Sequence, residues 1–309
     1  MRLRIFTEPQ NGASYDQILL AARTAEECGF DAFFRSDHYL SMSGDGPPGP
    51  SDAWITLAAL ARDTGRIRLG TLVSSATFRL PGPFAITVAG VDAMSGGRIE
   101  LGIGTGWFEE EHAAYGIPFP SVSERFERLE EQLQILKGLW TVPIGKRFSF
   151  EGRHYHLVDS PGLPKPVQEP YPPVIIGGAG PSRTPKLAAK YASEYNLPFF
   201  PAKDCAAQFD RVKAACEAAG RDPATMGFSA ATTVCCGEDS EQLERRARTT
   251  GWKLEDLRQY QTAGSPAEVL GRLGEFQEAG ASTVYLQILD LDDLDHIRLL
   301  GEEVLPSVA

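Results

Sequence analysis

The stretch Arg98-Ile-Glu-Leu-Gly-Ile-Gly-Thr-Gly-Trp107 has the pattern of a buried parallel strand that ends in glycines. A helical pattern precedes it over residues 82–94, and a second helical pattern follows it. The second helix is predicted to begin at the capping box Ser121-x-x-Glu124, with apolar residues every three or four positions from Phe126 onward. A strand between two helices is the repeating unit of α/β folds with a parallel sheet.

The same unit recurs along the chain without a break in composition. Eight strand–helix units predict a (β/α)8 barrel, the TIM-barrel architecture, formed as a single domain by residues 1–309. The alternative is a doubly wound open sheet, but its dinucleotide-binding form requires Gly-x-Gly-x-x-Gly after the first strand, and that motif is missing. The predicted strands are residues 2–7, 30–36, 66–74, 98–104, 174–177, 194–199, 226–237 and 283–289.

Residues 141–173 interrupt the alternation after the fourth unit. Within them, residues 147–158 alternate polar and apolar side chains and predict a β-hairpin with Glu151-Gly152 at its turn. Residues 161–173 contain six prolines and predict an extended segment. The sequence therefore predicts a barrel with an inserted hairpin and an extended segment.

Composition narrows the classes of partner. The 30 basic and 41 acidic side chains give a net charge of −11, which argues against a nucleic-acid binder. No apolar run reaches the ~18 to 20 residues of a membrane span, and the N-terminus lacks the pattern of a secretory signal. The five cysteines are odd in number and have no zinc-site spacing, so we expect reduced thiols and no metal. These features predict a cytoplasmic protein with a small-molecule substrate.

Active sites of (β/α)8 barrels lie at the carboxyl ends of the strands, so those positions carry the functional predictions. Asp37-His38 follows the second strand, and His38 is the candidate catalytic acid or base because imidazole titrates near neutrality. The alternative for this dipeptide is an ordinary loop before a helix. After the fifth strand, Gly177-Gly-Ala-Gly-Pro-Ser-Arg183 leads into a helix, a geometry that favours phosphate binding. The alternative there is a tight turn with a solvated arginine.

Three other groups are weaker candidates. The run Glu109-Glu-Glu-His112 predicts a solvated loop or helix start, although one carboxylate could face the pocket. His154 and His156 have the spacing of a metal pair, but no third ligand is evident. Arg245, Arg246 and Arg248 predict an exposed helix face rather than an anion site.

Three motifs occur in a fixed order: Ser36-Asp-His38, Gly102-Ile-Gly-Thr-Gly-Trp107 and Ile176-Gly-Gly-Ala-Gly180. Together they resemble the bacterial-luciferase-like superfamily of flavin and deazaflavin enzymes. The resemblance extends over nearly the whole chain and includes Gly116-Ile-Pro-Phe-Pro120 and Pro164-Lys-Pro166. The Ser-Asp-His form most resembles the branch that uses coenzyme F420, a 5-deazaflavin.

This resemblance implies roles for particular residues. The residue that matches His38 lies near the reacting ring carbon and handles a proton during hydride transfer. A non-proline cis peptide is expected at Leu72-Val73, where the backbone would press against the cofactor ring. Further expected cofactor contacts are Asp37, Thr71, Leu72, Val73, Thr105, Gly106, Trp107, Gly177, Gly178, Ala179, Gly180 and Arg183. The family also implies a homodimer.

The sequence departs from the sugar-phosphate dehydrogenases of that branch at two positions. Met42 stands where they have tryptophan, and Trp107 stands where they have glutamate, which argues against a glucose 6-phosphate-type substrate. Glu8 could act as a replacement acid. The predicted function is an F420-dependent oxidoreductase that reduces alkenes or carbonyls or oxidises alcohols. The alternatives are an FMN-dependent monooxygenase, because the Gly-Trp form also occurs among FMN-using relatives, and a non-catalytic flavin-binding protein.

Overall fold

The computed structural model describes residues 1–42 and 46–308. From the sequence we expect the loop of residues 41–50, after the second strand, to help shape the substrate pocket, and residues 43–45 of this loop lie outside the described residues. Eight parallel strands form a closed barrel in the order β1-β2-β3-β5-β8-β9-β10-β12, which confirms the predicted (β/α)8 architecture. In chain order the described strands are β1 (Arg2–Thr7), β2 (Ala32–Arg35), β3 (Arg68–Thr71), β4 (Ser74–Ser75), β5 (Ile99–Gly104), β6 (Phe148–Glu151), β7 (His156–Ser160), β8 (Val174–Gly177), β9 (Glu194–Pro198), β10 (Gly227–Cys236), β11 (Thr262–Gly264) and β12 (Thr283–Ile288).

Helices surround the barrel, and local sequence explains where several of them begin. The Ser14 side chain accepts the N–H of Gln17 while the Gln17 side chain accepts the N–H of Ser14, a complete capping box. Ser121 accepts the N–H of Glu124, but the Glu124 carboxylate pairs with Arg128 and leaves that box incomplete. The helices are α1 (Tyr15–Glu27), α2 (Ala53–Asp63), α3 (Pro81–Ser95), α4 (Glu109–Ala114), α5 (Val122–Thr141), α6 (Arg183–Tyr191), α7 (Ala202–Ala218), α8 (Ser240–Thr250), α9 (Leu254–Tyr260), α10 (Pro266–Glu278), α11 (Leu294–Leu299) and α12 (Leu305–Val308).

The apolar core has two shells. The larger shell fills the space between the outer face of the barrel and the helices. The smaller shell lies inside the barrel and separates its two ends. Its members include Phe6, Phe34, Leu72, Ile175 and Tyr285. Among the described helices, none combines the length and the hydrophobicity that crossing a bilayer requires.

The insertion after α5 folds as predicted into an antiparallel hairpin, β6 and β7, followed by residues 161–173 without helix or strand. We call residues 161–173 the strap. The Glu131 carboxylate of α5 accepts the backbone N–H groups of Arg153 and Tyr155 at 2.7 and 3.0 Å and so holds the hairpin turn. Asp92 of α3 accepts the N–H groups of Val167 and Gln168 at 2.8 and 3.0 Å and holds the strap. Two carboxylates therefore supply the acceptors that this irregular backbone needs.

The N-terminal end of the barrel contains a buried network, here called the N-terminal charge cluster: Arg4, Arg68, Glu100, Glu194 and Tyr285. Arg4 Nη1 donates to Glu100 Oε2 at 2.7 Å and to the Tyr285 hydroxyl at 2.8 Å. That hydroxyl donates to Glu194 Oε1 at 2.7 Å, and Arg68 donates to Glu100. Burial alone would raise the pKa of Glu100, but Arg4 and Arg68 outweigh it and lower that pKa. Burial raises the pKa of Glu194 despite the opposing effect of Arg4.

The prediction of an exposed helix face is wrong for Arg246 of α8. This side chain is buried and donates from Nε to Asp293 Oδ2 at 2.7 Å and from Nη1 to the Cys236 carbonyl at 2.7 Å. The His296 ring is also buried and accepts the Cys236 N–H at Nε2. Because burial disfavours the charged imidazolium, it lowers the pKa of His296 to about 3. Arg246 thus ties α8 to the segment that starts α11, while Arg245 stays largely exposed.

Candidate active site

A cavity of about 520 Å³ opens at the carboxyl end of the barrel. The ends of β1, β2, β5, β8, β9 and β10 contribute side chains or backbone to it, as expected for a barrel of this class. Nine predicted site residues line it: Asp37, His38, Leu72, Val73, Thr105, Gly106, Trp107, Gly177 and Gly178. The other four, Thr71, Ala179, Gly180 and Arg183, are not among its lining residues.

His38 is paired with a buried carboxylate. Its Nδ1 lies 3.0 and 3.1 Å from the two carboxylate oxygens of Glu111, which also accepts the N–H of Tyr39 at 3.0 Å. Glu111 is 1% exposed and sits on the short helix α4. The run of acidic residues at 109–111 is therefore a helix start with one carboxylate turned inward, and Glu111 is that carboxylate.

This pairing determines which nitrogen of His38 can react. A carboxylate only accepts hydrogen bonds, so Nδ1 carries the proton that is donated to Glu111. Nε2 has no partner among the residues that the structure describes, and the ring lines the cavity. Nε2 is therefore the ring atom available to a bound molecule, as an acceptor when unprotonated and as a donor when protonated.

Asp37 has a different environment from its neighbour. Its carboxylate accepts the Ser74 hydroxyl at 2.6 Å and forms a two-point ion pair with Arg79 at 2.5 and 3.2 Å. Arg79 also bonds Asp52 at 2.6 Å, the residue that caps α2. Asp37 is 1% exposed, and the guanidinium of Arg79 compensates its buried charge. Because Arg79 also bonds Asp52, it links Asp37 to the start of α2.

Backbone features shape the wall between β3 and β8. The Leu72–Val73 peptide is cis, as the family resemblance implies. A Cβ at Gly104 would lie 3.1 Å from Val73 Cγ2, and one at Gly177 would lie 3.2 Å from Val73 Cγ1. Gly106 has a φ of +78°, and a Cβ there would collide with the Ser75 hydroxyl. These glycines allow neighbouring chain to pack closely, and the Val73 side chain occupies the space that side chains at Gly104 and Gly177 would need.

Glu8 also lines the cavity, at the end of β1. Asn11 donates to its carboxylate at 3.4 Å. Burial raises the pKa of Glu8, and the His38 imidazole is the largest opposing influence. The cavity therefore contains a carboxyl group with raised proton affinity beside a paired imidazole.

The turn after β8 offers unpaired backbone donors. Gly178 has a φ of +134° and donates its N–H to the Asn196 carbonyl at 3.1 Å. The N–H groups of Ala179 and Gly180 find no acceptor among the described residues, and Ser182 makes no side-chain cap for α6. Free N–H groups at a helix N-terminus suit a phosphate. Arg183 donates to the Ser123 carbonyl and hydroxyl, both at 3.1 Å, so its part in phosphate binding stays a prediction.

Apolar side chains form the rim of the cavity. Trp107 is 65% exposed and stacks on Phe108 with ring centroids 5.3 Å apart. The Trp107 ring also meets the His38 ring edge to face at 5.8 Å. Met42 also lines the cavity and is 37% exposed. The weaker metal candidate lies elsewhere: His154 Nε2 contacts Glu127 at 2.9 Å.

Sequence reasoning did not single out Glu111 as the partner of His38, since 73 positions separate them. It also missed Asn196 and Phe199, which line the cavity from the end of β9. The strand-end rule could have found the second pair, because β9 was predicted to end there. No local signal distinguishes Glu111 from the two glutamates before it.

Fold and site together define a TIM-barrel protein whose cavity places an imidazole–carboxylate pair against a glycine-lined wall. Such a cavity at the carboxyl end of the strands is the usual place for barrel enzymes to bind substrate and cofactor. The chain belongs to the luciferase-like monooxygenase family, whose model matches residues 1–260.

Curated relatives are similar to parts of the chain. The F420-dependent glucose-6-phosphate dehydrogenase of Microbacterium testaceum is 39% identical over 172 residues, 55% of this chain and 49% of that protein. The F420-dependent hydroxymycolic acid dehydrogenase of Mycobacterium tuberculosis is 31% identical over 230 residues, 72% of this chain and 60% of that protein. The chain thus spans about half the length of the first curated relatives it matches.

Solved structures are similar over the whole chain. An F420-dependent secondary alcohol dehydrogenase in complex with an F420-acetone adduct has a TM-score of 0.86 at 21% identity, covering 100% of this chain and 99% of that one. The coenzyme F420-dependent tetrahydromethanopterin reductase of Methanopyrus kandleri has a TM-score of 0.83 at 20% identity, with the same coverage. At this level of identity, the likeness establishes the fold.

Proposed function

We propose that this protein is an F420-dependent oxidoreductase that moves a hydride between the deazaflavin and a small organic substrate. It would reduce an alkene or carbonyl, or oxidise an alcohol in the reverse direction. The observation that carries the proposal is the His38 ring, which lines the cavity with Nε2 unpaired among the described residues while Glu111 holds Nδ1. The F420-dependent relatives at 31–39% identity support the choice of cofactor.

The residues present fit such a cofactor. Thr105, Gly106 and the Leu72-Val73 backbone would contact its flat ring, because they line the cavity together and the glycines of this wall add no side chain of their own. The free N–H groups of Ala179 and Gly180 would receive its phosphate. Bound F420 would supply the carbon that gives or accepts the hydride.

His38 would supply the proton chemistry that accompanies hydride transfer. In reduction, protonated Nε2 donates to the substrate atom that becomes negative, and in oxidation unprotonated Nε2 accepts the alcohol proton. Glu111 would act as a positioning residue, because its contact with Nδ1 fixes the ring and keeps Nε2 toward the cavity. The Asp37 carboxylate is held by Arg79 and by the Ser74 hydroxyl, so its oxygens are committed to protein partners and it is poorly suited to proton transfer.

Cofactor titration tests the proposal. Purified protein is titrated with F420 and with FMN, each oxidised and reduced, and cofactor fluorescence reports binding. We expect micromolar or tighter binding of F420 and much weaker binding of FMN. The opposite preference would overturn the proposal in favour of a flavin-dependent monooxygenase, and binding of neither would remove the assignment of the cofactor-binding residues.

We propose that the protein forms a homodimer through the outer face of α3. Pro83, Ile86, Thr87, Gly90 and Met94 lie on this face, none of them is charged, and Ile86 and Met94 are 54% and 40% exposed. A helix that is apolar on its outer side as well is typical of one buried in an assembly. Sedimentation velocity should give a dimer for the wild type and a monomer for Ile86→Glu.

Lys203→Glu is the matched control for that test, because it changes the charge of an exposed helix outside this face and should remain dimeric. A monomeric wild type would contradict the assembly.

A cytoplasmic location and the reading of residues 1–309 as one domain are also part of the proposal. The location is supported by the five cysteines, all of which are free.

A further inference from the structure

The cavity wall contains carboxyl groups but no free lysine or arginine among the described residues. Three carboxylates, Glu8, Asp37 and Glu111, line the cavity, and no lysine or arginine is among its lining residues in the described part of the chain. Residues 43–45, which follow Met42 in the 41–50 loop, are Ser, Gly and Asp in the sequence and add no positive charge. An anionic substrate would therefore find no free cationic side chain among the described residues of the wall, because Arg79 is bonded to Asp37 and the His38 ring is bonded to Glu111.

The nearest guanidinium groups are already committed to protein partners. Arg79 lies behind Asp37 and is bonded to that carboxylate and to Asp52. Arg125 donates from Nε to the Pro120 carbonyl at 3.1 Å and from Nη1 to the Gly106 carbonyl. Neither could turn to a substrate anion without abandoning buried carbonyls or carboxylates, which carries a large cost.

Most of the remaining wall is apolar, although Ser36, Ser75, Thr105 and Asn196 also line it. Phe6, Leu72, Phe199 and Ala231 line the inner part of the cavity, and Trp107 forms its exposed rim. Unpaired backbone donors that suit an anion occur at the α6 turn, where Ala179 and Gly180 lie outside the cavity lining. These donors follow directly after the lining residues Gly177 and Gly178, so they lie at the edge of the cavity and not in its lining.

From the absence of a free cation in the described cavity lining we infer that the substrate is an uncharged, largely apolar carbonyl compound or alcohol, and that phosphorylated and carboxylated substrates are rejected. This inference rests on the proposed function and deepens it by naming the substrate class. His38 Nε2 and the Glu8 carboxyl are the polar groups that would face the substrate oxygen, while the rest of the molecule would contact apolar side chains. Rejection follows from the missing counterion rather than from size.

A matched pair of ligands tests the inference without relying on turnover. Binding of cyclohexanone and of 4-oxocyclohexanecarboxylate, which differ by one carboxylate, is measured by saturation-transfer NMR on the apoprotein and on the F420-loaded protein. Glucose and glucose 6-phosphate form a second pair. We expect the neutral ketone to bind at least tenfold more tightly than its carboxylate, and glucose 6-phosphate to show no gain over glucose. Equal or tighter binding of either anion, or no binding of cyclohexanone, would overturn the inference.

A variant pair tests the electrostatic cause. Met42→Lys adds a cation at the rim, and Met42→Gln adds a polar side chain of similar length without charge. We expect Met42→Lys to tighten binding of the carboxylate at least fivefold relative to Met42→Gln; equal binding by the two would overturn the stated cause. The F420 titration keeps the two proposals apart, because a protein that prefers the ketone but does not bind F420 fails the proposed function alone.

Discussion

The two ends of the barrel interior both contain buried charged side chains, but the groups have different partners. At the N-terminal end, Arg4 is 1% exposed, and its guanidinium and the Glu100 carboxylate bond to each other and to further protein groups. At the carboxyl end, Glu111 is equally buried, yet it bonds an imidazole whose other nitrogen faces a cavity. The same residue types therefore serve structure where every polar atom is paired, and chemistry where one atom is left unpaired.

An apolar layer keeps these two ends independent. Phe34 and Tyr285 meet edge to face at 5.0 Å inside the barrel, and Ile175 packs in the same cluster. The guanidinium carbon of Arg4 lies 5.4 Å from the centre of the Phe34 ring. Changes at one end should consequently affect stability, and changes at the other should affect reaction.

The largest effect is expected from Glu100→Gln. This change leaves Arg4 and Arg68 without their shared counterion in a buried site, and we expect the free energy of unfolding to fall by about 3–5 kcal/mol. The free energy of unfolding of the variant and of the wild type is measured by urea denaturation. F420 affinity of the folded protein should be unchanged. A loss below about 1 kcal/mol would show that the N-terminal charge cluster does not anchor the barrel.

His38→Gln should do the reverse. Removal of the proton donor is expected to lower kcat about 10²-fold or more, while the free energy of unfolding changes by less than about 1 kcal/mol. Steady-state kinetics with F420 and a neutral substrate, together with urea unfolding, separate the two effects. His156→Gln on the exposed hairpin is the control and should leave both quantities unchanged. Full turnover by His38→Gln would contradict the acid/base assignment.

Glu111→Gln should have a smaller, more specific effect. The amide can accept from or donate to His38 Nδ1, so the ring would populate both tautomers. We expect kcat to fall about tenfold with little change in KM. Ring ¹⁵N chemical shifts of His38 provide a signature that a general loss of stability would not produce. A single unchanged tautomer in the variant would refute the positioning role.

The smallest effect is expected from Glu8→Gln and appears as a pH dependence. Burial raises the pKa of Glu8 above its ordinary 4.5, so the folded state binds this proton more tightly than the unfolded state. The contribution of the Glu8 proton to the free energy of unfolding is complete below pH 4.5, and it is lost as the pH rises through the pKa of Glu8 in the folded state. Glu8→Gln should remove this decline from the pH profile of unfolding free energy. Parallel profiles for the two proteins would contradict it.

The barrel and the place of its site could be predicted from sequence because both depend on local patterns. Strand and helix periodicity identified the eight units, and the strand-end rule led to His38. Partners distant in sequence could not be predicted. Glu111 meets His38 across 73 positions, and Arg246 meets Asp293 across 47, so an exposed-looking residue proved to be buried. Arg4 alternates with apolar neighbours, and that pattern does not reveal which face of a closed barrel it occupies.

The strap gives the N-terminal end an unusual boundary. Asp92 holds its Val167 and Gln168 amides, and the Gln168 side chain bonds both Asp92 and Arg68 of the N-terminal charge cluster. This segment without regular structure is thereby linked to the most buried charges in the barrel. In deuterium exchange, the amides of Val167 and Gln168 should open only when the barrel does. Amide exchange in a proline-rich loop would then have the same free energy of opening as exchange in a central strand of the barrel.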